Sequence, residues 1–95
     1  MTLTGTGVLD EFTKVHADTR DWINNWVADV RGSSWKTPQD IRAKYNSVSF
    51  VKEVVIFNVK GNSYRLEVQV SYEVGVVHAL WAGTHAEYDK RNKNR

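Results

Sequence analysis

Apolar residues recur at helical spacing in two stretches near the start of the chain. The first stretch predicts a short helix that begins after Thr6, with Asp10 and Glu11 in its opening turn, where the helix dipole favours anions. The second stretch predicts a helix from about Asp18 to Arg31. The side chains expected to face the core are Val8, Leu9, Phe12 and Val15 of the first helix and Trp22, Ile23, Trp26, Val27 and Val30 of the second.

A third helix is predicted from its start signals. Thr37 can accept a hydrogen bond from the first turn, and Pro38 fits the first helical position. Asp40 then places a negative charge near the positive end of the helix dipole. This helix should end at about Tyr45, and Trp35, just before it, is expected to cover the core rather than stack on a nucleic-acid base.

The pattern changes from helix-like to strand-like at about Ser49. Gly61-Asn62 and Val74-Gly75 supply two turns. The predicted strands are residues 54–59, 64–72 and 76–82, with room for an edge strand at residues 2–4. The expected fold is therefore α+β, with N-terminal helices packed on one face of a small, mainly antiparallel sheet.

Alternation within the middle strand separates its two faces. The side chains expected to face the core are Tyr64, Leu66, Val68, Val70 and Tyr72, and those expected to face away are Arg65, Glu67, Gln69 and Ser71. The first turn predicts that Asn58 lies opposite Arg65. A two-residue second turn predicts Trp81 opposite Val68, in preference to Trp81 beside Glu67.

Thr84 and Glu87 have the spacing of a capping box, in which the two residues exchange hydrogen bonds at the start of a helix. The pair predicts a short C-terminal helix with His85 and Tyr88 on one face. The predicted register also sets Arg65 opposite Thr84. The strand arginine and this helix are therefore expected to be neighbours.

Lys60 is predicted to join Arg65, His85 and Tyr88 on the outer face of the sheet. Two fixed cations, an imidazole and a phenol suit phosphodiester cleavage, which needs charge stabilisation and proton transfer. The same groups also suit simple anion binding. In a less specific interpretation, Arg65 pairs with a carboxylate such as Glu67, and His85 is merely exposed at a helix start.

Length and charge limit the possible partners. The 95 residues are enough for a single domain with one modest core, which we expect to span residues 1–95. The formal net charge is +2, with three basic and five acidic residues up to Trp35, and ten basic and six acidic residues from Lys36 onward. A polyanion is therefore expected to bind the second half. The basic tail at about 90–95 is by itself typical of a solvated, frayed end.

Several other classes of function are disfavoured. The chain has no cysteine, which removes disulfides and thiolate chemistry and fits a reducing cytosol. It has neither a signal-peptide pattern nor an apolar run of membrane-spanning length, so we expect a cytoplasmic protein without a membrane partner. Nucleotide-binding and hydrolase motifs are missing and the histidines are scattered, so we expect no cofactor and no metal. His78 is expected at the surface beside Ser71.

Three segments resemble the HigB toxin family of type II toxin-antitoxin systems, within the wider RelE/ParE superfamily. They are SWKTPQDIRAKY at 34–45, SFVKEVVIFNVKGNSYRLEVQVSYEVG at 49–75 and GTHAEYDK at 83–90. The combination of NVKGNSYRL with GTHAEYDK at this spacing is the most specific feature. The similarity extends from about Val8 to Lys90.

This resemblance implies a RelE-like microbial RNase fold and the activity of an mRNA interferase. Such a toxin enters the ribosomal A site and cleaves mRNA through attack of the 2′-hydroxyl on the adjacent phosphate. The implied partners are the ribosome, mRNA and a HigA-type helix-turn-helix antitoxin that blocks the toxin. Operator DNA would be reached only indirectly, through the antitoxin complex.

The resemblance also implies roles for individual residues. Arg65 would contact the scissile phosphate and stabilise charge in the transition state, and His85 would act as general base or acid. Tyr88 would stack on a base or donate a proton, and Lys60 would contact a phosphate. The further candidate RNA-binding residues are Asn62, Lys36, Lys52, Lys90 and Arg91.

The chain departs from the family pattern at residues 4–7, where relatives often carry basic residues, and at Leu80, where some have arginine. Both changes remove positive charge, so the tail could compensate for weaker RNA or ribosome affinity. Two alternatives stay open: a non-catalytic, ParE-like toxin that acts on gyrase or only on its antitoxin, and a ribosome-independent RNase. The lack of a second well-placed histidine disfavours the RNase. Only a nuclease should need His85 and Arg65.

Overall fold

The sheet has five strands in the computed structural model, which describes residues 1–92. The strands are β1 (Thr2–Thr4), β2 (Ser49–Val51), β3 (Val54–Val59), β4 (Tyr64–Ser71) and β5 (Val76–Thr84). Their order is β1-β5-β4-β3-β2, with β1 parallel to β5 and the other pairs antiparallel. The predicted meander and edge strand are confirmed, and β2 adds a strand that the sequence pattern did not resolve.

Helices in residues 1–92 complete an α+β fold. They are α1 (Thr6–Val15), α2 (Arg20–Gly32), α3 (Pro38–Lys44) and α4 (His85–Asn92), and a 3₁₀ turn at Ala17–Thr19 leads into α2. All four helices were predicted, and Thr37 forms its capping box with Asp40. None of these helices combines the length and apolar character needed to cross a membrane.

Two details of α1 differ from the prediction. Asp10 and Glu11 lie beyond its first turn, because the helix already begins at Thr6. Val15 is 64% exposed rather than buried. It is the last residue of α1, and the helix ends at His16.

The core lies between the helices and the inner face of the sheet. Trp26 of α2 is fully buried and meets Phe57 of β3 edge-on, with ring centroids 5.5 Å apart. A fully buried side chain of this size stabilises the fold by about 1.5–3 kcal/mol relative to an exposed one. Trp35 is buried in the same core, as predicted. Predicted core residues that are only partly buried are Val8, Trp22, Val27, Tyr64, Val70 and Tyr72.

The register between β3 and β4 agrees with the prediction, because Asn58 lies opposite Arg65. The register between β4 and β5 differs. Residues 72–75 connect these strands, so the connection has four residues instead of two. Together with a β-bulge further along β5, this connection places Arg65 opposite Gly83, so the predicted pair with Thr84 is wrong.

Leu80 is the extra residue of a β-bulge in β5. Glu67 pairs with Trp81 and Val68 pairs with Ala79, so Leu80 stands between two successive pairs. The predicted Trp81–Val68 pair is therefore wrong. The observed partner of Trp81 is Glu67, the arrangement that a two-residue turn had disfavoured. The bulge shifts the alternation of β5 by one residue, so that Trp81 lies on the same face as Glu67.

Candidate functional site

Arg65 stands at the start of β4, directly after the β3–β4 hairpin loop. Its Nη2 donates to Asn62 Oδ1 at 2.7 Å, and its Nη1 donates to the carbonyl oxygens of Asn62 and Tyr64 at 3.2 and 3.0 Å. These acceptors are neutral, and no carboxylate within residues 1–92 forms an ion pair with Arg65. The guanidinium is thus oriented by the hairpin while its charge can still attract an anion.

The hairpin loop has a left-handed backbone at two consecutive residues. Lys60 has a φ of 51° and Gly61 a φ of 69°. Glycine adopts this conformation freely, whereas a lysine does so at a cost of about 1–3 kcal/mol, a kind of strain that is common at functional sites. The loop also fixes the next element, because the backbone N–H of His85 donates to the Ser63 carbonyl at 3.0 Å.

The start of α4 is set by the predicted capping box. The Thr84 amide donates to Glu87 Oε1 at 2.8 Å, and the Glu87 amide donates to Thr84 Oγ1 at 3.1 Å. The hydrogen bonds from Thr84 hold the pKa of the Glu87 carboxyl below its usual value, so Glu87 is charged at neutral pH. Two local hydrogen bonds therefore fix the direction in which α4 leaves the sheet.

His85 and Tyr88 lie in this first turn of α4, beside the β3–β4 hairpin loop. His85 Nδ1 lies 3.1 Å from Asp89 Oδ2, and the imidazole side chain is 42% exposed. Nδ1 is buried and lacks hydrogen-bond geometry towards a partner within residues 1–92, so Asp89 acts on the imidazole through its charge, which favours a proton on Nδ1 and leaves Nε2 as the acceptor. The Tyr88 ring centroid lies 5.9 Å from the Arg65 guanidinium carbon. We call the site formed by Asn62, Arg65, His85 and Tyr88 the hairpin–α4 corner.

Lys60 does not join this corner. Its Nζ lies 3.7 Å from Asp18 Oδ2, and the Tyr64 hydroxyl donates to both oxygens of Asp18 at 3.0 Å. Tyr64 faces the helices, where its ring meets Phe12 edge-on at 5.5 Å. The prediction that Lys60 shares a face with Arg65 is therefore wrong, because Asp18 holds the ammonium group on the helix side.

Arg91 is turned towards the sheet. Its Nε donates at 3.1 Å to Oε2 of Glu67, a fully buried residue, and its guanidinium carbon lies 5.1 Å from the Trp81 ring centroid. Glu67 therefore faces away from the core, as predicted, but is covered by α4, with Arg91 rather than Arg65 as its cation. Sequence reasoning missed both Glu67 and Trp81 as anchors of α4. The strand alternation, which puts Glu67 on the same face as Arg65, was the one signal in the sequence that could have indicated a contact between Glu67 and α4.

The remaining candidate cations lie elsewhere. Lys52 precedes Val54, which pairs with Gln69, four residues or roughly 13 Å along β4 from Arg65. There Lys52 lines a groove of about 690 Å³ that does not include any residue of the hairpin–α4 corner. Lys36 lines a smaller pocket beside the β4–β5 turn. Lys90 is exposed on α4.

Histidine, aspartate and glutamate side chains do not form a metal site in residues 1–92, because no three of them come close enough to hold one ion. His16 packs against the rings of Phe12 and Tyr64, with centroids 5.4 and 5.0 Å away. His78 is exposed and shares a 2.7 Å hydrogen bond with Thr4. It pairs with Gln69, not with Ser71 as predicted.

The fold and the hairpin–α4 corner describe a small RelE-like domain. Residues 19–91 match the family model of HigB_toxin, the RelE-like toxic component of a toxin-antitoxin system. The chain therefore belongs to the HigB toxin family and has an antitoxin as its partner. A search of curated proteins finds no match. The family match confirms the resemblance noted in the sequence, and β1 and α1 lie outside the matched residues.

Proposed function

We propose that this toxin is an endoribonuclease, an mRNA interferase that cleaves translated mRNA on cytoplasmic ribosomes and is neutralised by a HigA-type antitoxin. One observation carries the proposal: the backbone at the start of α4, the helix that bears His85 and Tyr88, is hydrogen-bonded to the hairpin that orients Arg65, and the Tyr88 ring centroid lies 5.9 Å from the Arg65 guanidinium carbon. An oriented cation beside an imidazole is what cleavage of a phosphodiester requires.

Arg65 would bind the scissile phosphate. Its guanidinium is held by Asn62 and retains its charge, so it can donate two hydrogen bonds to the non-bridging oxygens. These oxygens carry more negative charge in the pentacovalent transition state than in the substrate. A cation that is oriented in advance therefore stabilises the transition state more than the ground state.

His85 would act as the general base. With Asp89 beside Nδ1, Nε2 accepts the proton of the 2′-hydroxyl as the O2′–P bond forms. The P–O5′ bond then breaks, which gives a 2′,3′-cyclic phosphate and a 5′-hydroxyl after the leaving oxygen takes a proton. Tyr88 either donates that proton or stacks on a neighbouring base.

Ribosome dependence follows from the shortage of acid and base groups. His85 is the one histidine of the hairpin–α4 corner among residues 1–92. His16 packs on the helix side of the sheet, and His78 pairs with Gln69, four residues along β4 from Arg65. A single imidazole favours a reaction in which another molecule orients the RNA. The ribosome, which holds mRNA in an extended form, would supply that orientation.

The test is primer extension on mRNA in a purified translation system, with and without ribosomes. We expect the wild type to cleave within codons only when ribosomes are present. Loss of a general base or of a charge-stabilising group costs on the order of 10²-fold or more in rate, so His85→Ala and Arg65→Ala should each be nearly inactive. His78→Ala is the matched control and should cleave like the wild type.

Intact mRNA in cells that nevertheless stop growing would overturn this proposal. Such a result would favour the gyrase-directed or purely antitoxin-binding alternative, because neither needs His85. Cleavage of free RNA at the same rate would retain the nuclease but remove its dependence on the ribosome.

A further inference from the structure

A groove runs between α1 and β5, along the edge of β5 that does not pair with β4. β1 pairs only with residues 76–78 of β5, so the rest of β5 has no neighbouring strand on this side within residues 1–92. The chain leaves the sheet at Gly5, where a Cβ would lie 2.4 Å from the Ala79 carbonyl oxygen. It then enters α1, and α1 and β5 enclose a groove of about 280 Å³, which we call the α1–β5 groove.

The walls of the α1–β5 groove are apolar and unusually exposed. Val8 and Val15 of α1 lie seven residues apart, which places them on one side of the helix, and both line the groove with Leu80 of the β-bulge. Val15 is 64% and Leu80 37% exposed. Among residues 1–92 the other exposed large apolar side chains are Val51 and Val74, and neither lines this groove. Clustered exposed apolar side chains mark interaction sites more often than scattered ones do.

The rim of the groove is acidic. Glu11 lies on the α1 wall, and Glu87 lies where the groove meets the first turn of α4. Glu87 is ionised at neutral pH, as its hydrogen bonds from Thr84 require. Two carboxylates beside an apolar floor repel a polyanion such as RNA and attract lysine or arginine. The groove therefore fits a protein segment and not the nucleic acid that the hairpin–α4 corner would bind.

We propose that the α1–β5 groove is the docking site of the antitoxin, through a segment with aliphatic side chains on one face and lysine or arginine beside them. The inference rests on the part of the proposed function that assigns an antitoxin, and it does not require RNA cleavage. The α1 wall lies outside the residues that match the family model.

Docking there would also reach the active corner. Glu87 belongs both to the groove and to the capping box that starts α4, and His85 is in the same helical turn. A segment that contacts Glu87 therefore lies beside the turn that presents His85. Neutralisation then needs no contact with Arg65, because bulk placed against α4 obstructs the approach of RNA.

Photo-crosslinking tests the location. The probe is the antitoxin identified as the protein whose co-expression restores growth, copurified with toxin that carries benzoylphenylalanine at one position. Substitution at Val15 or Leu80 should give crosslinks to the antitoxin, whereas Val51 and Val74, exposed valines outside the groove, serve as matched controls and should give background yield. Background yield from Val15 and Leu80, equal yield from the controls, or crosslinks to RNA would each overturn the proposal.

Charge reversal tests the chemistry. Glu11→Lys should weaken antitoxin binding about tenfold, the equivalent of about 1.4 kcal/mol, whereas Asp21→Lys on α2 makes the same charge change outside the groove and should leave affinity unchanged. Equal affinities for the two variants would overturn the proposed complementarity. Both variants should keep the toxicity of the wild type, since neither residue belongs to the hairpin–α4 corner. Failure of the wild type to cleave mRNA would remove the proposed nuclease function but leave both readouts intact.

Discussion

At the scale of single residues, Gly83 lies where a side chain would meet both the Trp81 ring and the first turn of α4. A Cβ there would lie 2.6 and 2.8 Å from atoms of the Trp81 ring and 2.9 Å from Glu87 Oε1. Gly83→Ala should therefore displace the indole or break the capping box, and destabilise the fold by about 1–3 kcal/mol. Urea denaturation measures the change. Gly7→Ala, which meets open space inside α1, is the control and should be neutral or slightly stabilising.

A second residue-scale effect depends on pH. The Tyr45 hydroxyl donates to Asp29, and this bond, with the nearby Lys44 ammonium, lowers the pKa of Asp29 despite partial burial. Because the folded pKa is the lower one, the stabilisation is present above the unfolded value of about 4 and is lost as pH falls through the folded value. Tyr45→Phe should thus cost about 1 kcal/mol at pH near 7 and progressively less below about pH 4.

Urea denaturation of wild type and Tyr45→Phe across this pH range checks the prediction. The phenylalanine retains the edge-on contact with Phe57, so packing is matched between the two proteins. A deficit that stays constant with pH would show that the hydroxyl does not act through the charge of Asp29.

Single-residue burial was only partly predictable from the sequence. Alternation correctly assigned Glu67 to the outer face, but it could not show that α4 would cover that face. Helical periodicity likewise placed Val15 on the apolar stripe, although α1 ends there and exposes it. A periodic pattern identifies a face, whereas burial depends on which other element packs against that face.

At the scale of elements, α4 is attached to the sheet through polar contacts and through the Trp81 ring, which Tyr88 and Arg91 both contact. None of its residues is buried, and it is held by the capping box and by Arg91 against Glu67 and Trp81. Arg91→Ala removes a cation from a fully buried carboxylate, so it should destabilise the protein by about 2 kcal/mol and loosen α4. Its neighbour Lys90, exposed on the same helix, is the control, and Lys90→Ala should change stability by less than about 0.5 kcal/mol.

Hydrogen exchange of the α4 amides, with urea denaturation, measures both effects. If α4 positions His85 and Tyr88 for the proposed cleavage, Arg91→Ala should also lower the rate of mRNA cleavage at saturating ribosomes. The ribosome concentration that gives the half-maximal rate should change by a smaller factor. Unchanged exchange in α4 would show that the Glu67–Arg91 pair does not hold the helix.

Elements with local signals were predicted well, and those set by distant contacts were not. The helix starts at Thr37 and Thr84 follow from capping boxes four residues long, and both are confirmed. The bulge at Leu80 has no such signal, because it depends on the packing of Trp81 under α4. The juxtaposition of Arg65 with α4 was therefore predicted, but its strand partner was wrong by one residue.

At the scale of the whole molecule, positive charge is concentrated in the second half, and its C-terminal residues can now be divided by role. Arg91 is engaged with Glu67, whereas Lys93 and Arg95, which the sequence suggested as compensating RNA or ribosome contacts, lie outside the described residues. Removing residues 93–95 deletes two positive charges from a chain of net charge +2. Each lost phosphate contact should reduce the salt dependence of binding by about 0.7–0.9 in slope.

Two truncations separate the charge of the tail from its structural role. Ending the chain at Asn92 should raise the ribosome concentration needed for half-maximal cleavage at low salt, with a slope against salt lower by up to about 2. Ending it at Asp89 also removes Arg91 and should in addition destabilise the fold by about 2 kcal/mol. Equal salt slopes for the full chain and the Asn92 truncation would mean that Lys93 and Arg95 do not contact phosphates. Equal stability of both truncations would mean that α4 does not depend on Arg91 for its attachment to the sheet.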